Sequence, residues 1–542
     1  MLDINELSHR FSANQPTPPP QSSPSISCLP LEILAQIFFL SIPSEQYPIP
    51  SHNDPPLLLT RINSDWRTLA INTPDLWSAF HINYKDPGED IPATNLWLAR
   101  STNRPLSLSL AIDFGEQSQQ SILDALCRHS NRWKHVRLDF RHLYCPPMYS
   151  LDIAQGSIPE LTTFEFHARD ISSTNLSQIT RLLKIAPKLR QVTWVDDLAD
   201  TDMLLELPLN QLSHLSMAMD HGILDYFQVL KRCSNLEHIS LSRPLISSSH
   251  TYQSKPSPLF LDKLTSLNIS YDLTAVLDHL VLPALTHVRI FTANDGADKH
   301  GQQSYLTQAY SYESLLHYSH YLYLQPRISH TNRTEAWDPS HLISLIDRSA
   351  CEITTLSLCA PMMENALLLC LSKGESLVSL ELEGVEVGDK VLSYLTRSRR
   401  RQVGEEQQDE DEHLENDGVD EDVLCPNLQD LILHTQITSS QGVLADMIAS
   451  RLNHEDLKIT SFSSSPNQNL KQTTLRKLVI VDGHRDLDRM KEFISLSQSR
   501  FPAAGLSRGN VNDFKVYIIP RKPAPKSRIR NYFFRRKLCA SR

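Results

Sequence analysis

The sequence predicts an α/β protein, in which a small N-terminal helical module is followed by an irregular solenoid of repeating helix–strand units. Three observations lead to this prediction. An apolar helix pattern between prolines stands at 29–43, a short strand pattern recurs from residue 131 onward, and an apolar helical stripe precedes several of these strands. Because one helix and one strand cannot bury a core alone, neighbouring units must stack.

The composition is that of an ordinary globular protein. Of 542 residues, 40% are apolar and 21% are charged, and the net charge is −10. Glycine is scarce, no phosphate-binding glycine loop or zinc-spaced cysteine and histidine set appears, and we expect no cofactor, no metal and no catalysis. Nine scattered cysteines and no apolar run near the ~18 residues of a membrane span predict an intracellular protein of the cytosol or nucleus without a membrane partner.

The N-terminal region predicts a disordered leader and then a helix. Residues 1–27 are rich in proline and serine toward their end, a composition that cannot bury a core. Pro30 suits a first helical position, Glu32 complements the helix N-terminus, and Pro43 ends the pattern. One apolar stripe of this helix consists of Ile33, Leu34, Ile37 and Phe38, and Phe39 and Leu40 widen it beyond what one small core requires.

Two further short helices fit the residues after a polar, proline-rich loop. One is predicted over about 56–62, and the other begins near Ser64 and stops before Thr73–Pro74. On periodicity alone, the region is a small helical subdomain whose core contains Trp66 and Trp77.

The ordered string LPLEILAQIFFL…PLLLTRINSDWRTLAINTPDLWS resembles the F-box domain, in the form common among mushroom-type fungi. The resemblance covers roughly residues 28–112 and rests on many positions that match in order. It implies that residues 28–82 form a module that docks on the Skp-type adaptor of a cullin–RING ubiquitin ligase. It also implies which side chains contact that adaptor: Leu29, Pro30, Ile33, Leu34, Ile37, Phe38, Leu58, Leu59 and Trp66.

One stretch departs from the family pattern. Residues 62–65, with sequence INSD, stand where the family usually has Val-Cys followed by polar or basic residues. Asn63 and Asp65 either cap the third helix or weaken docking on the adaptor.

After a connecting segment at 83–120, residues 121–500 repeat a helix, a turn and a strand of the form Leu-x-x-apolar-x-apolar. The leading residues from Trp133 to Leu285 are spaced 28, 28, 23, 24, 28 and 21 apart, near the 20–29 of leucine-rich repeats. The asparagine or cysteine usual in regular repeats is missing, so the turns must differ. A doubly wound α/β domain is the alternative, although no nucleotide-binding loop accompanies it.

Two long intervals interrupt the repeats. The segment 305–324 has six tyrosines and is either a helix or hairpin packed on the solenoid or an insertion that contacts a target. The second interval includes eleven acidic residues at 405–422, within a loop at 402–424 that is predicted to be disordered. This loop is either a solvated spacer or an electrostatic docking site for a basic partner.

The C-terminal segment 501–542 ends in a basic tail. Residues 521–542 contain nine Lys and Arg and no acid. A nuclear-import signal or a solvated tail is favoured over a nucleic-acid contact, so nucleic acid is not an expected partner.

Together these features predict a non-catalytic substrate-recognition adaptor of a Skp–cullin–F-box ligase. Its F-box would bind the Skp-type adaptor, and through it cullin, while the solenoid would hold a protein target whose identity the sequence does not reveal. Ubiquitin-dependent degradation of that target would follow. The alternative is a repeat-based protein-binding scaffold without a ubiquitin-ligase role.

Overall fold

The computed structural model describes sixteen stretches of the chain: 26, 29–42, 46–84, 87–112, 119–140, 151–154, 158–168, 172–196, 201–219, 223–242, 257–291, 336–397, 423–434, 437–452, 475–481 and 515–519. The chain divides into two compact units. Unit 1 comprises residues 1–138 and 148–161, and unit 2 comprises 139–147 and 162–542.

Several predicted segments lie outside the described residues. They are the leader except Ile26, the tyrosine-rich segment 305–324, the acidic residues 405–422 and the basic tail 521–542.

Unit 1 begins with short helices. Helix α1 (Leu31–Leu40) and helix α2 (Ser64–Ile71) agree with the sequence-based expectation. The helix predicted over 56–62 is wrong in extent, because only a 3-10 turn at Leu59–Arg61 forms there. The hydrogen bonds there are those of isolated turns, such as the bond from the Arg61 amide to the Leu58 carbonyl at 2.9 Å, in place of an α-helical ladder. A second 3-10 turn follows at Pro74–Trp77.

The predicted connecting segment 83–120 contains regular structure of its own. It includes the end of β1 (Ala79–Tyr84), helix α3 (Pro87–Arg100), β2 (Leu106–Ile112) and the start of α4 (Gln119–Cys127). Strands β1 and β2 pair in parallel, so β1, α3 and β2 form a βαβ unit. A proline inside α3 resembles a helix break in the sequence, which explains why this helix was not predicted. Unit 1 also has a 3-10 turn at 130–132, most of β3 (Trp133–Phe140) and α5 (Leu151–Ala154).

Unit 2 is built on a large parallel sheet. Eleven of its described strands pair successively in chain order, every pair is parallel, and the sheet is not closed into a barrel. Two short strands, β8 (Leu259–Phe260) and β10 (Leu280–Val281), form a separate parallel pair. The eleven strands are β4 (Thr163–His167), β5 (Gln191–Asp196), β6 (His214–Met219), β7 (His238–Ser242), β9 (Ser266–Ser270), β11 (His287–Phe291), β12 (Thr355–Cys359), β13 (Ser379–Glu383), β14 (Asp430–His434), β15 (Lys477–Val481) and β16 (Lys515–Ile519).

Each strand of this large sheet from β4 to β15 coincides with a predicted repeat, and the repeat positions align across the sheet. The first apolar strand residue of one repeat lies opposite that of the next, as Leu380 does between Leu356 and Leu431. Side chains of a strand alternate between faces, so these residues form continuous buried rows. The leading residue of each repeat is also buried: Leu161, Leu189, Leu212, Leu236, Leu264, Leu285, Ile353, Leu377, Leu428 and Leu475.

Helices precede many of the strands, largely as predicted. One exception precedes β11, where a 3-10 helix (Tyr271–His279) leads directly into β10. None of the helices in the described stretches is long and apolar enough to cross a membrane. In the described part of unit 2, the α-helices are α6 (Ser173–Lys184), α7 (Thr201–Leu204), α8 (Ile223–Leu230), α9 (Ser340–Ser349), α10 (Glu364–Leu371), α11 (Asp389–Leu395) and α12 (Val443–Arg451).

The junctions before the strands from β5 to β15 in this sheet share one hydrogen-bond arrangement. One backbone carbonyl accepts two N–H groups from the next repeat, as Thr162 does from Arg190 and Gln191 at 2.9 and 3.1 Å. This shared acceptor satisfies backbone groups that would otherwise need a side-chain partner. The same arrangement recurs with the carbonyls of Arg190, Ser213, Glu237, Thr265, Thr286, Thr354, Val378 and Gln429.

Candidate functional site

The candidate site is the surface of helix α1. Pro30 occupies its N-cap position and its carbonyl accepts from the Leu34 amide at 3.0 Å. Glu32 lies in the first turn, where a negative charge favours the positive end of the helix dipole. At the other end the Ser41 hydroxyl donates to the Phe38 carbonyl at 2.7 Å. The helix is therefore bounded as the sequence predicted.

One face of α1 holds the helical region together. Leu34 is 5% exposed and Phe38 is 1% exposed, one helical turn apart. The Phe38 ring lies 4.8 Å from the Trp66 ring of α2, centroid to centroid. Leu59, in the intervening 3-10 turn, is also buried. These side chains fix the position of α1 within unit 1.

Asn63 caps helix α2. Its side-chain oxygen accepts from the Trp66 amide at 2.8 Å, while Asp65 lies in the first turn of the helix. An N-cap asparagine satisfies one of the free amides at a helix start. Asn63 therefore has a structural role that accounts for this departure from the family pattern, and it orients the segment that carries Trp66.

A second face of α1 is apolar and exposed. Ile33 is 46% exposed and Ile37 is 40% exposed, and Leu40 continues the same stripe one turn later. Isolated exposed apolar residues are normal, but a contiguous apolar stripe marks a contact surface. We call Ile33, Ile37 and Leu40 the exposed stripe.

The nine residues inferred from the resemblance fall into two groups. Five are exposed and available to a partner: Leu29, Pro30, Ile33, Ile37 and Leu58. Leu34, Phe38 and Leu59 are buried inside unit 1, and Trp66 is half-buried against Phe38. The buried residues support the surface that the exposed ones form.

Sequence reasoning did not assign a role to the other exposed apolar residues nearby. Leu31 and Phe39 lie on the opposite flank of the buried face from Ile33 and Ile37. Ile62 is exposed four residues after Leu58. The sequence signalled these exposed residues only through an excess of apolar residues over what the core of a small module requires.

A tryptophan cluster follows the helices in unit 1. The Trp77 indole N–H donates to the Ala70 carbonyl at 2.8 Å, and its ring packs edge-on against Trp97 at 4.9 Å. The Arg100 guanidinium lies 4.4 Å from the Trp77 ring centroid, in cation–π geometry. Trp77 thus joins α2 to α3, so its role in unit 1 is structural.

One cluster in unit 2 has the residue types of a catalytic triad but the wrong order. The Ser357 hydroxyl donates to Glu381 Oε2 at 2.9 Å, and His434 Nε2 lies 3.8 Å from Glu381 Oε1. Nucleophilic catalysis requires the histidine beside the serine, because the imidazole must take the hydroxyl proton. Here the carboxylate stands between them, so this arrangement does not activate Ser357.

The described cysteines are equally unsuited to nucleophilic chemistry. Burial raises the pKa of the Cys127, Cys233, Cys370 and Cys425 thiols to about 12, and that of Cys359 to about 11. A thiol with so high a pKa is almost entirely protonated at neutral pH, and the thiolate is the reactive form. Within the described stretches, no group of three or more His, Cys, Asp or Glu has the geometry to hold a metal ion.

Comparison with known proteins adds no assignment. No family model matches the chain, and no curated protein matches its sequence.

Proposed function

We propose that this chain is an F-box adaptor that works in the cytosol or nucleus and docks on a Skp-type adaptor through helix α1. The observation that carries the proposal is the exposed stripe, on a helix whose adjacent face is packed against Trp66. An apolar helix face seated in a groove is a common mode of protein recognition. The ordered F-box-like sequence supports the Skp-type adaptor as the partner, and cullin would be joined through it.

The two groups of residues have different roles in this proposal. Ile33, Ile37 and Leu29 would be buried against the adaptor, and burial of their apolar surface would supply the driving force. Leu34 and Phe38 would act indirectly, because they hold α1 against the rest of unit 1.

Unit 2 would hold the target. Its successive parallel strands in chain order, often preceded by a helix, support an irregular solenoid of the leucine-rich-repeat type. The buried rows of the sheet leave alternate, mostly polar strand positions on the other face. A target held there would be brought near the ubiquitin-conjugating enzyme, so its lysines would react at a raised local concentration.

The test is a pull-down of purified fungal Skp-type adaptor by the full-length chain. The double variant Ile33→Ala/Ile37→Ala should weaken binding at least about tenfold, because two central apolar contacts are truncated. Ile185→Ala is the matched control, since Ile185 is an isoleucine of similar exposure, 49%, in unit 2. Far-ultraviolet circular dichroism of each variant checks that the helices remain.

The alternative function predicts a different outcome. If the wild-type chain does not bind the adaptor, the ligase role is removed and a protein-binding scaffold is favoured. If Ile185→Ala weakens binding as much as the double variant, the exposed stripe is not the docking surface.

A further inference from the structure

A row of histidines crosses the polar face of the unit 2 sheet. His214 on β6 lies directly opposite His238 on β7, and His238 lies opposite Ser266 on β9. Ser266 in turn lies opposite His287 on β11. Three imidazoles therefore stand in one register row across four neighbouring strands. We call His214, His238 and His287 the histidine row.

The row has a defined geometry. The rings of His214 and His238 are stacked, with centroids 4.2 Å apart and planes inclined by 23°. Nδ1 of His214 lies 2.9 Å from the hydroxyl of Ser213, and Nδ1 of His287 lies 2.7 Å from the hydroxyl of Thr286. Hydroxyl groups of the preceding residues thus hold two of the rings in place.

Carboxylates are missing from this part of the face. On β6, β7, β9 and β11 the remaining positions of the face are Ser216, Ala218, Ser240, Ser242, Ser266, Asn268, Ser270, Arg289 and Phe291. Next to the row, β5 contributes the neutral Gln191, and Glu237 precedes β7. Other acidic side chains on the same face lie at least two strands from the row, at Glu165 on β4, Glu381 and Glu383 on β13 and Asp430 on β14. The histidine row therefore lies between two parts of the face that carry acidic side chains.

The charge of the row depends on pH. Burial lowers the pKa of His214, the neighbouring His238 lowers it further, and Glu237 opposes both effects. Burial also lowers the pKa of His238, Glu237 opposes this, and His287 adds to the lowering. Both rings are therefore uncharged at neutral pH and gain protons only below the ordinary pKa of about 6.5. A carboxylate brought beside them would stabilise the charged form.

We propose that the histidine row is a docking surface for an acidic polypeptide segment and that its affinity rises as the pH falls. The inference rests on the proposed function, in which the sheet face of unit 2 holds the target. The partner is chosen by charge complementarity, because the stacked rings of His214 and His238 become cationic as the pH falls and the strands that carry them have no carboxylate on this face. Small neighbouring side chains such as Ser216 and Ser240 leave room for a main chain to approach.

Proton linkage gives the direction in which the affinity changes with pH. The bound acidic segment raises the pKa of the imidazoles, so the complex holds more protons than the free protein at the same pH. Binding must then strengthen as the pH falls through the region of the histidine pKa values. We expect at least about a tenfold gain in affinity between about pH 7.5 and about pH 5.5, where glutamate side chains remain ionised.

The experiment uses the full-length chain and a fluorescent glutamate homopeptide, with binding followed by anisotropy at both pH values and low salt. The triple variant His214→Gln/His238→Gln/His287→Gln should lose the gain in affinity at the lower pH. His52→Gln is the matched control, because His52 is an exposed histidine in unit 1 and should keep the full gain. The single variant His238→Gln removes one ring of the stacked pair and should lose part of the gain even if the triple variant does not fold.

Two results would overturn the inference: a glutamate peptide whose affinity does not rise on acidification, or a rise that the His238→Gln and triple variants retain. The Skp-type adaptor pull-down is a separate readout. A chain that binds the adaptor but fails this test retains the proposed ligase role without this docking surface. A chain that passes this test but does not bind the adaptor retains the surface and loses the ligase role.

Discussion

Helix α1 and the parallel sheet of unit 2 use the same apolar residue types in opposite ways. In the sheet, the leucine, isoleucine and valine residues at the repeat positions are buried from β4 to β15. In and around α1, apolar residues of equal size face solvent. Of fifteen large hydrophobic residues exposed in the described stretches, ten lie between residues 26 and 62.

This difference in burial distinguishes apolar residues that form the core from apolar residues that remain exposed and can contact a partner. A repeat needs all three of its apolar positions, since each closes the core shared with the next unit. Helix α1 needs only Leu34 and Phe38 for its packing in unit 1, so Ile33 and Ile37 have no structural task there. An apolar surface retained without a structural task is what a partner would cover.

The largest effect on stability is expected when a buried residue of the unit 2 sheet is truncated. Leu431→Ala truncates a fully buried residue between Leu380 and Leu478 and should lower the free energy of unfolding by about 2–5 kcal/mol. Ile37→Ala on α1 should change it by no more than about 0.5 kcal/mol. Urea unfolding followed by circular dichroism measures both, and similar losses in the two variants would refute the division.

The next effect concerns Arg451, a buried arginine of unit 2 that binds three backbone carbonyls. Arg451 is 1% exposed and donates to the carbonyls of Leu395, Cys425 and Leu424 at 2.6, 2.9 and 2.8 Å. Burial lowers its pKa to about 10, with the nearby Arg397 as a further cause, yet it remains charged at neutral pH.

Arg451→Met should therefore cost about 3 kcal/mol of unfolding free energy, because three buried acceptors lose their donor. Arg451→Lys should recover only part of this, since lysine lacks the planar fork of donors. The exposed Arg476 provides the control, and Arg476→Met should lie within about 0.5 kcal/mol of wild type in the same urea titration. A methionine variant as stable as wild type would mean that these carbonyls find other donors.

The smallest effect on stability is expected at the cap of α2, the helix whose Trp66 packs against Phe38 of α1. Asn63→Ala removes the cap of α2 and should cost about 1 kcal/mol, whereas Asn63→Asp should retain the cap. Hydrogen exchange of the α2 amides reports the loss locally. If Asn63→Ala left that exchange unchanged, the cap would not stabilise the helix that holds Trp66 against Phe38.

The strands of unit 2 were predictable from the sequence because their signal is local. Three apolar positions within six residues define each strand, and repetition at similar intervals separated the pattern from chance. The structure of 83–120 was missed, because Pro92 inside α3 imitates a break. Strand β16 was missed because it carries no leading leucine at the repeat position.

At the candidate site, the sequence determined that helix α1 exists, where it begins and ends, and that it has more apolar residues than a small core requires. Only the tertiary structure determined which of these apolar residues are exposed. Leu34 and Ile33 are neighbours of the same chemistry, and nothing local distinguishes them. Leu34 is buried and Ile33 is exposed because α1 packs on Trp66 with one face alone. Trp66 lies about thirty residues further along the chain, so no local pattern shows which face packs on it.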